Sequence, residues 1–186
     1  MLLTFDDGPD STWTPRVLDA LAAAGTRAAF FVLGARAAAH PELVVRILAE
    51  GHAVELHGWA HLRHPRVERY EVEADAERGL AVLDPLGARP GRWRTPWGQH
   101  APWTADVAAA LGLELAGWTL DPHDWRGDCA AAMLAQCRRG LDRDAIVLLH
   151  DGLGPGARRG GCAETVALIP RLAAAWRALE GRRSAA

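Results

Sequence analysis

Two neighbouring acids and two closely spaced histidines are the first side chains in this sequence whose types could carry chemistry. Asp6 and Asp7 directly follow a short apolar run, and His57 and His61 stand four residues apart after another. One carboxylate with two imidazoles is the protein ligand set typical of catalytic zinc, which keeps positions open for water and substrate. A second carboxylate nearby can take a proton from the attacking water. These four residues therefore indicate metal-assisted hydrolysis.

An arginine, a further acid and a further histidine also follow predicted strands: Arg94, Asp124 and His150. A histidine whose pKa is raised by a carboxylate can protonate a poor leaving group such as an amine. Each residue also has an ordinary structural interpretation, as a surface ion pair, a helix cap and a buried histidine respectively. Likewise, Asp-Asp-Gly-Pro alone is typical of a turn. Only the joint placement of these residues favours the chemical interpretation.

Parallel strands that alternate with helices would bring these residues together. Short apolar runs alternate with amphipathic stretches, which is typical of repeated β-α units, and such folds build their sites at the carboxyl ends of the strands. The predicted strands cover residues 2–5, 28–33, 53–57, 93, 113–120 and 145–150. The predicted helices begin near Pro15, Pro41 and Thr104 and end at Gly25, Gly51 and Gly112, with others over 72–83, 129–138 and 163–179. The Gly-rich loop 152–161 is long enough to be functional.

The composition is that of an ordinary globular chain and excludes several classes of protein. Of the 186 residues, 49% are hydrophobic and 24% charged, which excludes disorder and predicts a single domain over 1–186. The net charge is −2 and the basic residues are scattered, so we expect no nucleic-acid partner. No apolar stretch reaches the ~20 residues of a membrane span. Asp6 and Asp7 leave no room for a signal peptide, so we expect a cytoplasmic location, or export if a longer precursor carries a leader.

The motifs that contain these residues resemble those of the NodB-homology polysaccharide deacetylases, carbohydrate esterase family four. In family order they are Leu3-Thr4-Phe5-Asp6-Asp7-Gly8-Pro9, His57 to His61, Arg94 with Pro96, Asp124-Trp125 and Leu148-Leu149-His150. The resemblance covers residues 2–179. It implies an α/β fold, a distorted (β/α) barrel of about seven strands that could be incomplete. It also implies hydrolytic removal of acetyl groups from N-acetylated sugars such as chitin, chitooligosaccharides or peptidoglycan, and less often from O-acetylated xylan.

The resemblance also implies a role for each residue of the metal and base motifs. Asp7, His57 and His61 would be the ligands of one divalent metal, zinc in the first instance, with cobalt or another transition metal as the alternative. Asp6 would be the catalytic base, and Arg94 would orient it and tune its basicity.

The remaining motifs would supply the acid and the pocket walls. His150 would be the general acid, and Asp124 would set its protonation state. The backbone N–H of Trp97 would help to hold the oxyanion, while Trp125 and Leu148 would shape the pocket for the acetyl methyl group. The implied partner is an acetylated carbohydrate; the sequence leaves the oligomeric state open.

Two departures from the family pattern and the number of tryptophans lead to further expectations. Leu56 replaces a frequent asparagine before the first ligand histidine, so a supporting hydrogen bond could be absent there. Few residues precede Asp6 and no last strand is predicted after residue 179, so the barrel could be open between its termini. Among the eight tryptophans, we expect Trp118 and Trp176 to fill the core and those near the motifs to face sugar rings.

Three other functions are compatible with parts of this pattern. Two histidines and one carboxylate also describe the site of non-haem Fe(II) oxygenases, although such an enzyme has no use for a separate acid like His150. A cytosolic amidohydrolase of the same superfamily could act on a small acylated amine or amino sugar. A catalytically inactive carbohydrate-binding homologue would need a defect that the motifs do not contain.

Overall fold

Six parallel strands and seven α-helices make up the computed structural model, which describes residues 1–184. The strands are β1 (Leu2–Asp6), β2 (Ala28–Val32), β3 (Ala53–Leu56), β4 (Arg92–Trp93), β5 (Glu114–Leu115) and β6 (Ile146–His150). The helices are α1 (Trp13–Ala23), α2 (Gly34–Ala39), α3 (Pro41–Ala49), α4 (Arg69–Leu83), α5 (Thr104–Ala110), α6 (Ala130–Cys137) and α7 (Ala163–Ser184). The α/β class is as predicted, and within residues 1–184 the strands number six rather than about seven.

The sheet has the order β5-β4-β3-β2-β1-β6, with every pair parallel. Its carboxyl ends therefore lie along one edge, where Asp6, Arg94 and His150 end or follow their strands. In the pairing of β1 with β6, Asp6 lies opposite His150. The predicted base and the predicted acid thus stand on adjacent strands at the same level.

The barrel is open, as expected, but β1 is not one of its free edges. β1 pairs with β6 over five positions, from Leu2 opposite Ile146 to Asp6 opposite His150. The Thr4 hydroxyl adds a 2.7 Å hydrogen bond to the Val147 carbonyl. The free edges of the sheet are therefore β5 and β6, and within residues 1–184 no further strand follows α7.

The strand predicted over residues 113–120 is divided in the structure. Glu114 and Leu115 pair with β4, whereas Leu120 forms an isolated bridge with Val147 of β6. Between them, the Gly117 carbonyl accepts a 2.8 Å hydrogen bond from the Arg94 guanidinium. The segment therefore contacts both edges of the sheet, and its middle contributes to the site instead of to a ladder.

The core lies between the sheet and the surrounding helices. All five residues of β2 are buried, and the Phe30 ring stacks on Phe5 of β1 with centroids 5.1 Å apart. Helix α2 was not predicted, because it directly follows β2 without a turn signal; its Gly34 packs against Gly79 and Trp59, where a Cβ has no room. Every helix within residues 1–184 is too short or too polar to cross a bilayer.

Candidate active site

Asp7, His57 and His61 converge into one candidate metal site. One ligand atom from each lies within 4.8 Å of the other two. The Nε2 atoms of His57 and His61 stand 3.4 and 3.1 Å from Asp7 Oδ1, which is buried and accepts no hydrogen bond from any residue of the described chain. Electron-pair donors that face one another without a shared proton are stabilised by a cation between them. The donor set and the orphaned oxygen therefore fit a divalent metal.

The orientation of His57 is set by a backbone carbonyl. Its Nδ1 lies 2.7 Å from the Arg94 oxygen, so this nitrogen donates and Nε2 is left to face Asp7. The first histidine is thus oriented by a backbone group, with Leu56 before it supplying no side-chain hydrogen bond. The second histidine lacks such support, since His61 Nδ1 is buried with no partner among residues 1–184.

The backbone around this site adopts conformations that side chains rarely take. Asp7, His61 and Trp97 all have positive φ, at 71°, 55° and 55°. Non-glycine residues in this region cost free energy and persist where surrounding structure holds them, often at functional sites. The Gly-rich loop passes directly over the Asp7 carboxylate at Gly154, where a Cβ would overlap Asp7 Oδ2.

Arg94 holds the second carboxylate, Asp6. Its Nη1 donates to Asp6 Oδ1 and to the Thr4 hydroxyl, both at 2.8 Å, and the arginine side chain is only 1% exposed. Its guanidinium also lies over the Phe31 ring, 4.1 Å from the centroid. These contacts fix the orientation of the Asp6 carboxylate. Asp6 is therefore bound to Arg94 and lies outside the candidate metal group of Asp7, His57 and His61.

His150 forms a close pair with the buried carboxylate of Asp124. The ring Nδ1 lies 2.7 Å from Asp124 Oδ1, and the backbone N–H of His150 donates to Asp124 Oδ2 at 3.0 Å. Burial opposes the charge on the imidazole, but the Asp124 carboxylate outweighs it and raises the pKa of His150 to about 9. Burial likewise opposes ionisation of Asp124, while the His150 charge lowers the pKa of Asp124 to about 2. This histidine carries a proton at neutral pH and can donate it.

One pocket of about 370 Å³ joins these groups. Its walls include Trp97, Trp125 and Leu148, as the sequence predicted, together with Trp118. The prediction that Trp118 fills the core is wrong, because its ring lines this pocket. There the ring lies against Gly98, at a point that a Cβ would occupy. Trp176 does pack against the core.

Other tryptophans near the motifs are outside the pocket lining. The Trp59 ring is covered by the Arg78 guanidinium, 3.7 Å from its centroid, and Trp103 packs against the core and His64. Among the tryptophans of residues 1–184, those that line the pocket are Trp97, Trp118 and Trp125.

Two residues that contact the candidate site were not predicted from the sequence. Arg159 and Thr165 both bond to Asp124, over 35 and 41 residues of sequence separation. The signal that could have found Arg159 was its place in the Gly-rich loop, which was predicted to be functional without a partner being assigned.

Comparison with known proteins places this geometry in a family. A family model described as polysaccharide deacetylase matches residues 1–116. The chain is also 40% identical over 163 residues to a chitooligosaccharide deacetylase of Bradyrhizobium sp. (strain ANU 289), an alignment covering 84% of this chain and 73% of the relative. The chain belongs to the polysaccharide deacetylase family. This deacetylase is thereby one of the hydrolases that remove acetyl groups from carbohydrates.

Two further relatives support the family and the fold. The peptidoglycan-N-acetylglucosamine deacetylase PgdA of Listeria monocytogenes is 39% identical over 150 residues, which cover 80% of this deacetylase but only 32% of that longer protein. The solved structure of a family 4 carbohydrate esterase from Streptomyces lividans in complex with acetate has a TM-score of 0.86 at 29% identity, covering 96% of this chain and 88% of that one. The distorted, incomplete barrel that the motifs implied is confirmed.

Proposed function

We propose that this deacetylase is metal-dependent and hydrolyses the acetamide of N-acetylglucosamine units in chitooligosaccharides or peptidoglycan. The observation that carries the proposal is the single pocket lined by Asp6, Asp7, His57, His61 and His150. It joins a three-residue ligand set to a carboxylate base and a protonated acid, which are the groups that amide hydrolysis requires. The substrates named for the Bradyrhizobium and Listeria relatives support the choice of sugar.

Asp7, His57 and His61 would hold the metal, for which zinc fits the mixed carboxylate and imidazole donors and cobalt is the nearest alternative. When bound, a divalent cation supplies Lewis acidity that polarises the acetyl carbonyl and makes water easier to deprotonate. The contacts of Asp7 are consistent with this assignment. Burial opposes its ionisation, yet its interactions with His57 and His61 hold the pKa of its carboxyl well below the usual range.

Asp6 and the Trp97 backbone would act on the first half of the reaction. The Asp6 carboxylate, fixed by Arg94 at 2.8 Å, takes the proton of the attacking water as the new C–O bond forms. Negative charge then develops on the former carbonyl oxygen. The Trp97 N–H, on the 3₁₀ turn Pro96–Gly98 at the pocket wall, would donate to that oxygen.

His150 would act on the second half. The amine of the sugar is a poor leaving group until it is protonated, and His150 carries a proton to give because its ring is paired with Asp124. Proton donation from Nε2 accompanies cleavage of the C–N bond, which releases acetate and the free amino sugar. Trp125 and Leu148 line the same pocket and would enclose the acetyl methyl group.

The experiment that tests this proposal is an assay of acetate release. The substrates are chitooligosaccharides, peptidoglycan fragments, acetylxylan and free N-acetylglucosamine, each with metal-free protein and with added Zn²⁺ or Co²⁺. We expect release from the N-acetylated oligomers only with metal. Release from free N-acetylglucosamine alone would favour the small-substrate alternative, and binding of sugar and metal without any release would indicate an inactive homologue.

A further inference from the structure

Arg159 of the Gly-rich loop 152–161 is bonded into the acid side of the pocket. Its guanidinium, only 6% exposed, donates from Nη1 to Asp124 Oδ2 at 2.8 Å and to the Thr165 hydroxyl. Nη2 donates to the carbonyl of His150 at 3.0 Å. One side chain therefore contacts both members of the His150–Asp124 pair.

The two oxygens of Asp124 have different tasks because of these contacts. Oδ1 is left for the ring of His150 at 2.7 Å. Oδ2 accepts from Arg159 at 2.8 Å, from the Thr165 hydroxyl at 2.7 Å and from the His150 backbone N–H at 3.0 Å. Because three donors bind Oδ2, the carboxylate cannot rotate freely. Oδ1 therefore stays oriented toward the imidazole of His150.

Arg159 also supplies a positive charge beside the buried Asp124 carboxylate during turnover. The Asp124 side chain is fully buried, and a buried carboxylate needs a counter-charge or other strong donors. Before proton transfer, the His150 imidazolium supplies a positive charge. After His150 has given its proton to the amine, that charge is gone, and Arg159 remains as the cation bonded to Asp124.

The same residue joins the loop to the site. Arg159 Nη2 also reaches the Gly152 carbonyl at 3.4 Å, and the pocket lining includes Gly152, Gly154 and Ala157 of this loop. The loop that walls the pocket and the pair that would donate the proton thus share one anchoring guanidinium.

We infer that Arg159 is a positioning residue of the deacetylation reaction, which fixes Asp124 so that His150 delivers its proton to the leaving amine. The inference rests on the proposed function, because it assigns no activity of its own. Arg159 acts through His150, so its loss should matter only where the leaving group needs a proton.

The test compares two leaving groups in the metal-loaded protein. For Arg159→Met we expect kcat for a chitooligosaccharide to fall by about 10²-fold, the size of a lost acid contribution, with KM changed far less. Hydrolysis of an activated aryl acetate, which expels a stabilised phenolate, should fall by less than about threefold, and the metal content should be unchanged. Arg159→Lys, which keeps the charge, should recover part of the amide activity.

A double-mutant cycle with His150→Ala tests whether Arg159 affects the rate through His150. In the His150→Ala background, Arg159→Met should lower amide hydrolysis by less than about twofold, since residues that act as a unit are not additive. Arg177→Met is the matched control, because Arg177 is partly buried and bonds a backbone carbonyl at 3.0 Å outside the pocket. It should leave both activities unchanged.

Several outcomes would overturn the inference. Equal losses on the amide and the ester, or a full further loss in the His150→Ala background, would make Arg159 a structural residue only. If Arg159→Met does not fold, Thr165→Val removes another donor to Asp124 Oδ2 and must show the same leaving-group dependence in milder form. Failure of the wild-type protein to release acetate from any N-acetylated sugar would instead contradict the proposed function.

Discussion

Two adjacent carboxylates receive different surroundings in this pocket. Asp6 ends β1 and faces the guanidinium of Arg94, whereas Asp7 follows with a positive φ and faces two imidazoles. Successive side chains of an extended chain point to opposite sides, and the turn at Asp7 redirects its carboxylate toward His57 and His61. Neighbours in sequence can therefore serve as base and ligand.

Substitution of each aspartate by asparagine should separate these roles. Asp6→Asn should retain the metal but lose about 10²- to 10⁴-fold in turnover, the usual contribution of general-base catalysis. Asp7→Asn should weaken metal binding, so that activity partly returns at high metal concentration. Metal titrations followed by activity provide the measurement. Equal rescue of both variants by metal would mean that the two roles are exchanged.

The pH dependence of the reaction should report the His150–Asp124 pair. As the proposed general acid, His150 would have to be protonated, so the rate should fall as pH rises through its pKa. The Asp124 carboxylate raises that pKa to about 9 against the effect of burial. Asp124→Asn removes that charge and should move the alkaline limb of the rate profile to lower pH. If the alkaline limb of the rate profile does not move in Asp124→Asn, that limb reports the titration of a group other than His150.

At the scale of elements, the loop between β6 and α7 passes over the Asp7 carboxylate at the pocket. Gly154 lies so close to Asp7 that a Cβ there would overlap the carboxylate oxygen Oδ2. In contrast, a Cβ at Gly160 of the same loop meets no atom of residues 1–184 within 4 Å. The two glycines therefore differ in the space around them. Gly154 has no room for a side chain, whereas Gly160 has room for one.

Replacement of these two glycines by alanine tests the placement of the loop. Gly154→Ala should displace either the loop or Asp7, and we expect metal affinity to fall by about 10- to 100-fold, as when groups that orient metal ligands are altered. Gly160→Ala is the matched control and should bind metal like the wild type. Isothermal titration with Zn²⁺ compares the two. Unchanged affinity in Gly154→Ala would show that the loop does not constrain Asp7.

At the scale of the whole molecule, a buried acid joins the first and last β-α units. Asp151 follows β6, is fully buried, and accepts a short hydrogen bond from the hydroxyl of Thr14 on α1. Burial raises the pKa of its carboxyl to about 7. The carboxyl also fills the space above Gly8, at a point that a Cβ would occupy.

This acid should make stability depend on pH in a defined direction. The pKa of Asp151 is about 7 in the folded protein and about 3.9 in an unfolded chain, so between these values the folded state binds more protons. Its contribution to the free energy of unfolding therefore falls as pH rises from about 4 to 7, by up to about 1.4 kcal/mol per pH unit. Asp151→Asn should remove this slope.

Urea denaturation at several pH values, with metal held constant, measures that difference. Asp106→Asn is the control, because Asp106 is an exposed acid on α5 whose loss should leave the slope unchanged. If wild type and Asp151→Asn have parallel stability profiles from pH 4 to 7, the pKa of Asp151 is not raised by folding and the prediction is wrong.

The sequence by itself determined the β-α alternation and the residues at the strand ends. Apolar runs, helix-starting prolines and terminal glycines act over a few residues, so the helices after Pro15 and Pro41 and the motif residues Asp6, Asp7, His57, Arg94 and His150 could be placed without coordinates. Parallel pairing then brings the strand ends to one edge.

Only the tertiary structure decided how the ends of the chain meet and which distant side chains complete the site. Four features depend on contacts between remote segments: the pairing of β1 with β6, the division of the strand over residues 113–120, the exposure of Trp118 to the pocket and the bonds of Arg159 to Asp124. Local propensity and periodicity describe neighbours along the chain. The choice among remote partners is made by packing and by the requirement that buried polar groups find donors and acceptors.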